Sequence, residues 1–237
     1  MSYQNRVPNP TQQNDVYTEI RSGNVQWTGM SQATFLSRVL PYFGGGLLIT
    51  ALGTRFGMGL GNGLLLPALI ANIGLYFALL WQRHTPGLNV ALYYAYTFVN
   101  GLLLGPLVGL AHSISPYIVI QALGLTSLGF FTIAGYVYTT GKDMSGMGPY
   151  LISGLVVIIF AGILNFFVGG AGLGFGISVI SVFLFMGFTA YDMSNIMLKF
   201  RDEEYILAVV ELYLDFINLF VAILRILISI SGGRSRD

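Results

Sequence analysis

Three acids stand where the chain is otherwise apolar. Asp192 lies in "TAYDMSNIM" (Thr189 to Met197), directly after the apolar run from Gly176 to Phe188. Glu211 and Asp215 lie in "VELYLDFINLF" (Val210 to Phe220), among Leu, Tyr, Phe and Ile. Two carboxyl groups brought together in a low-dielectric surround cannot easily both ionise, so such a pair holds a shared proton. It is a proton sensor by construction. Once deprotonated it also presents two hard oxygen ligands suited to Ca²⁺. Asp192 and Asp215 are the candidate pair for both roles, and Glu211 is a third acid one turn before Asp215.

Helical spacing organises these residues. Glu211, Asp215, Asn218, Ala222 and Arg225 recur at intervals of 4, 3, 4 and 3, which confines them to a stripe about 80° wide. The rest of that helix is Leu, Ile, Phe and Val, so the polar seam must face protein or water. Ser178, Ser181, Phe185, Thr189 and Asp192 share a face of the preceding helix by the same count. The short link "KFRDEE" makes the two helices antiparallel, and their acid-bearing seams can meet. Lipid gives a reason for them to do so, since one ionised acid at mid-membrane costs on the order of 3 kcal/mol. The bland alternative is that the acids are helix glue, hydrogen-bonded to Ser, Tyr or Arg.

Composition dictates the solvent. The chain is 54% hydrophobic and 9% charged, against about 25% charged in a soluble domain. Between Val39 and Leu198 the charged residues are Arg55, Arg83, Lys142, Asp143 and Asp192. The 31 glycines suit close approach of membrane helices. The net charge of +1 offers no basic surface for nucleic acid. Cysteine is absent, which excludes disulfides, thiolate metal sites and a cysteine nucleophile. The lipid bilayer is the primary partner.

Seven segments approach the length needed to cross a hydrocarbon layer. They are Val39–Thr54, Leu60–Trp81, Val90–Ala111, Tyr117–Thr139, Tyr150–Val168, Leu173–Ser194 and Tyr205–Ile230. The first is short, reaching full length only if Phe35 to Arg38 snorkel at the edge. Residues 1–35 read as a flexible polar tail without the order of a signal peptide, residues 36–231 as the membrane domain and residues 232–237 as a short C-terminal tail. Arg6, Arg21, Arg38, Arg83, Lys142, Lys199 and Arg201 fall on one side, against Arg55, Arg234 and Arg236 on the other. Cationic loops mark the cytoplasmic side. The expectation is an integral, multi-pass protein with a cytoplasmic N-terminus and an external C-terminus.

Other polar residues have structural readings. Asn72, Asn100, Gln121 and Asn165 suit interhelical hydrogen bonds. Arg225 suits a snorkelling position. Arg83 ends the second span at the same side as Asp192, either as an anchor or as a partner of that acid. "GGAGLGFG" is a turn, lacking the strand and Lys of a nucleotide loop.

"AYDMSNI", "LYLDFINLFVAILRIL" and "TTGKDMSGMG" resemble the transmembrane Bax inhibitor family, including its bacterial YccA-like members. The resemblance extends from "LSRVLPYFGGGLLITA" to the C-terminal helix. It implies an all-α membrane protein of seven transmembrane helices, the last central and the other six around it, in a bacterial inner membrane. It implies a pH-sensitive Ca²⁺ leak channel gated by an aspartate pair, matching Asp192 and Asp215, with Ca²⁺ and H⁺ as the ions that interact with it. Arg83, in "LLWQRH", matches a latch arginine of some bacterial members. Asn72 stands where some members carry an acid, a departure that removes a pore-lining acid at that point; Asn72 and Thr189 are the candidates to line the path, with Arg83, Glu211 and Asn218 in support.

Two other functions compete. The resemblance also implies regulators that act through a membrane protein partner, such as a membrane protease, in stress or cell-death pathways. An intramembrane aspartyl protease also carries Tyr-Asp on one helix and Asp on the next. That pattern wants Gly-x-Gly-Asp at the second aspartate and Pro-Ala-Leu near the end. Here Leu212, Tyr213 and Leu214 precede Asp215, and no proline follows Pro149. The expectation is therefore a non-enzyme without a cofactor, with Ca²⁺ as a transported or bound ion.

Overall fold

The computed structural model describes residues 28–234. Helix α1 spans Gln32–Gly57, α2 Leu65–Trp81, α3 Leu88–Ile114, α4 Pro116–Thr140, α5 Gly148–Val168, α6 Ala171–Leu198 and α7 Tyr205–Arg234. No strand occurs among the described residues. Six of these helices are long and apolar enough to cross a membrane, and α2 is a shorter apolar helix. Consecutive helices alternate in direction. The face where α1 begins is termed the near face, and the opposite one the far face.

The sequence places the weakness in the wrong helix. The first span is full length because a π-helical turn, Phe35–Val39, carries it through the stretch that reads as marginal. Arg38 sits in that turn with its guanidinium 5.2 Å above the Tyr205 ring. Ser31 starts the helix by accepting a hydrogen bond from the Thr34 N–H at 3.2 Å. The short helix is α2, which begins at Leu65 after a 3-10 turn at Asn62–Leu64. Its 17 residues extend about 26 Å, near the minimum for a crossing.

The expected tail boundary also moves. Residues 1–27 lie outside the described region, but Thr28 to Ser31 are docked. The last carbonyls of α6 have no partner within their own helix. Gly29 N–H donates to Met197 O (2.9 Å), Met30 N–H to Ile196 O (3.2 Å) and Thr28 Oγ1 to Leu198 O (3.2 Å). Met30 is fully buried. Ser31 bonds Asp202 twice, through its N–H (2.7 Å) and its hydroxyl (2.9 Å). Residues 28–31 are therefore docked on the end of α6, and α7 extends to Arg234.

Helix α7 is the axis of the bundle. Its apolar window is 67% buried, against 6–28% for the other candidate spans. It packs on α6, α4, α3 and α1, while α2 rests mainly on α3 and α5 on α6. The α1–α3 contact is the closest in the bundle because it is backbone against backbone. A Cβ on Gly101 would collide with the Thr50 carbonyl, and one on Gly53 with the Phe98 carbonyl. Small residues at such crossings take the place of a hydrophobic driving force, which lipid does not supply between helices.

Candidate proton and cation site

Asp192 and Asp215 meet. Asp192 lies six residues before the near end of α6, and Asp215 ten residues into α7 from the same face. Their side chains are within hydrogen-bond reach of each other, and they are 8% and 4% exposed. Two bare carboxylates offer each other only acceptors, so a hydrogen bond between two such groups needs a proton on one of them. Thr189, one turn before Asp192, adjoins the Asp215 carboxyl, and its hydroxyl donates to Phe185 O at 2.8 Å.

Glu211 is part of the same cluster. It is half-buried and within electrostatic reach of Asp192, Asp215 and Tyr76 of α2. One oxygen of Glu211 (Oε2) and one of Asp215 (Oδ2) are buried with no hydrogen-bond partner among the described residues. Asn195 Oδ1 and Asn72 Nδ2 are in the same condition. Buried polar atoms are nearly always hydrogen-bonded in folded proteins. Asn218, on the same stripe of α7, is half-buried.

Among the described residues, no cation pairs with the acids. Arg83 is exposed, and its Nε donates to His84 Nε2 at 3.0 Å. It shares the near end of the bundle with Asp192 but does not pair with it in this structure. Arg225 is exposed and lines a shallow hollow with Ser178 and Ser229, ten residues beyond Asp215. The ion pair found among the described residues is Arg201–Glu204 at 3.9 Å, in the α6–α7 link. No cluster of three or more His, Asp or Glu suited to a metal ion occurs among the described residues.

Two groups of contacts that spacing alone does not reveal hold the pair in place. The Thr50 hydroxyl donates to Gly46 O (2.8 Å) or Thr97 O (3.0 Å) and lies 2.7 Å from the Tyr213 hydroxyl. It thereby joins α1, α3 and α7 two residues before Asp215. Met144 N–H donates to Ser194 Oγ at 2.9 Å, pinning the "KDMSG" loop to α6 two residues after Asp192. Phe43, Phe130 and Phe216, the residue after Asp215, form a ring cluster with centroids 5.4–5.8 Å apart at the depth of the pair.

The fold and the site define a multi-pass helical membrane protein whose central helix shares a buried acid pair with its neighbour. The chain belongs to the Bax inhibitor family: residues 32–232 match the family described as inhibitor of apoptosis-promoting Bax1. It is 32% identical over 198 residues to an uncharacterized protein of Helicobacter pylori (strain ATCC 700392 / 26695), covering 82% of this chain and 86% of that one. It is 34% identical over 164 residues to the Golgi anti-apoptotic protein of Vaccinia virus (strain Lister), covering 69% and 68%. An uncharacterized membrane protein of Vibrio cholerae serotype O1 is 32% identical over 160 residues, covering 67% and 71%.

Proposed function

We propose that the chain is a pH-sensitive Ca²⁺ leak channel whose gate is the Asp192–Asp215 pair. The observation that carries this reading is the contact itself: two buried carboxyls, on two different helices, with no ion-pair partner among the described residues. While they share a proton, α6 and α7 are tied together and the path along α7 is shut. As pH rises the proton is lost. Two negative charges then stand side by side in a poorly solvated site, with repulsion of several kcal/mol at intermediate dielectric. The helices part, or a Ca²⁺ settles between them. Ca²⁺ takes six to eight oxygens, so two carboxylates and the Thr189 hydroxyl would hold it with part of its water retained, as befits an ion in transit.

In this reading the near face is cytoplasmic and the membrane is the inner membrane of a bacterium. Ca²⁺ flux against pH in proteoliposomes containing only this chain tests it. Flux that rises with pH in the wild type and stays flat in Asp215→Asn is the expected outcome. Absence of flux at every pH would overturn it.

A second reading is favoured by the vaccinia relative, whose name describes an anti-apoptotic protein of the Golgi. A regulator of a membrane protein partner, such as a membrane protease, would use the same helices and require no ion flux. Crosslinking in the native membrane distinguishes the two, because a regulator retains its partner when both aspartates are replaced by Asn.

A further inference from the structure

Helices α1 and α4 touch through aromatic rings near the bundle centre and separate toward the far face. Phe43 stacks on Phe130 at 5.4 Å. One turn further along α1, a cleft of about 530 Å³ opens. Its walls are Leu47 and Ala51 of α1 and Leu123 of α4, and its floor is Val108 of α3 with Phe216 and Phe220 of α7. Ala51 and Leu123 are exposed, so the cleft opens sideways toward lipid.

Its polar groups are few and asymmetrically placed. The hydroxyls of Thr50 and Thr54 are already bonded to carbonyls of their own helix. Ser127 lies on the wall, and Arg55, exposed in the last turn of α1, stands at the far end. No acid lines the cleft, and no ion pair holds Arg55 among the described residues. From Leu47 to Met58 the cleft follows α1 for about 16 Å, close to the depth of one leaflet of a hydrocarbon layer about 30 Å thick. A mostly apolar cleft of this size with one convergent charged group has the character of a ligand site.

We propose that this cleft binds one acyl chain of an anionic phospholipid, with the lipid phosphate on Arg55. The occupant follows from three features together: a lateral opening in the membrane, a length of one leaflet, and an unpaired cation at headgroup level. Basic groups at the ends of interhelical pockets recognise lipid headgroups in this way. The bound chain would lie against Phe216, the residue after Asp215, so the lipid bears on the central helix itself.

The test uses the full chain in nanodiscs made from equal phosphatidylglycerol and phosphatidylcholine of matched acyl chains. The lipid retained after gentle release is counted by native mass spectrometry. The wild type should keep one phosphatidylglycerol, about fivefold preferred over phosphatidylcholine, as one surface arginine near an anionic headgroup predicts. Arg55→Gln should retain a lipid but lose the preference. Ser127→Phe, which fills the cleft from within, should lose the retained lipid. Ala51→Phe, placed at the lipid-facing mouth, gives the same readout should Ser127→Phe fail to fold. Equal retention of the two lipids by the wild type, or undiminished retention in the filled variants, would overturn the proposal.

Discussion

The Thr50 and Tyr213 hydroxyls lie 2.7 Å apart, 163 residues distant in sequence, and they fasten the first helix to the last. Tyr213 is fully buried between the rings of Tyr93 and Tyr96, at 5.8 and 6.0 Å. Tyr213→Phe keeps the ring packing and deletes the hydroxyl contact. Thr50 retains its backbone acceptors, so no buried donor is orphaned and the cost should be that of one buried hydrogen bond, about 1 kcal/mol. A lowered thermal midpoint in detergent checks this, together with a higher resting leak if the tie holds Asp215 in register. A variant that melts with the wild type would show that the contact carries no net stability.

The aspartate pair predicts a particular pattern of non-additivity. Asp192→Asn and Asp215→Asn each replace one acid by a group that does not titrate in this range, and each should flatten the pH dependence of Ca²⁺ flux. The double variant should change little further, because the same interaction is removed twice; residues in direct contact typically couple by 0.5–3 kcal/mol. The sign follows from the proton. Below the pair's transition the shared proton ties α6 to α7 and flux is low; above it, repulsion raises flux. Additive effects of the two substitutions would mean that the acids act separately.

Arg83 separates a latch from an anchor. Its guanidinium is exposed and bonded to His84 rather than to Asp192. Arg83→Ala should therefore leave the resting leak of the closed form unchanged, with expression altered at most slightly. A several-fold rise in leak at low pH would show instead that Arg83 swings onto the pair in the membrane.

The meeting of Asp192 and Asp215 was legible because charge is expensive in an apolar helix. Asp192 and Asp215 stand out as acids without apolar function, and the 4-3-4-3 stripe marks which side of α7 must be covered. What spacing cannot supply is the partner across a long loop. Thr50 gives no hint of Tyr213, and Thr28 gives none of the bare carbonyls at the end of α6. Arg83 illustrates a second gap: spacing puts it at the same end of the bundle as Asp192, but does not give the direction of its side chain. Local hydropathy misjudged α1 for a third reason. Arg38 lowers the average of its window, yet it is accommodated on the Tyr205 ring, while the uniformly apolar α2 is cut short at Leu65 by the 3-10 turn before it.

Topology follows from the cations and the alternation of seven helices. The near face carries Arg38, Arg83, Lys142, Lys199 and Arg201, and the far face carries Arg55. The positive-inside rule then predicts a cytoplasmic N-terminus and an external C-terminus. Reporter fusions after Asp237 that are active only outside the cytoplasm are the expected result. The short α2 makes this a real test, because a helix that fails to cross would return the C-terminus to the cytoplasm.

The docking of Thr28–Ser31 makes the near end of α6 dependent on the segment that precedes α1. The carbonyls of Ile196, Met197 and Leu198 are satisfied by residues 28–30, and Asp202 holds Ser31 through two hydrogen bonds. Asp202→Ala removes both acceptors and leaves every residue of the acid cluster in place. The strap should loosen, and protection of the Gly29 and Met30 amides against hydrogen exchange should fall by an order of magnitude or more, since each charge-assisted hydrogen bond contributes about 1.5–3 kcal/mol when well formed. Ser31→Ala should weaken the same end as well, because it removes the cap of α1 and one of the two bonds to Asp202. Asp192 is only six residues from the end of α6 that the strap closes. If the strap merely seals that end, amide protection falls in Asp202→Ala while the pH dependence of flux is unchanged. If it also holds α6 against α7, the same variant opens at lower pH than the wild type, because less repulsion is then needed to part the helices.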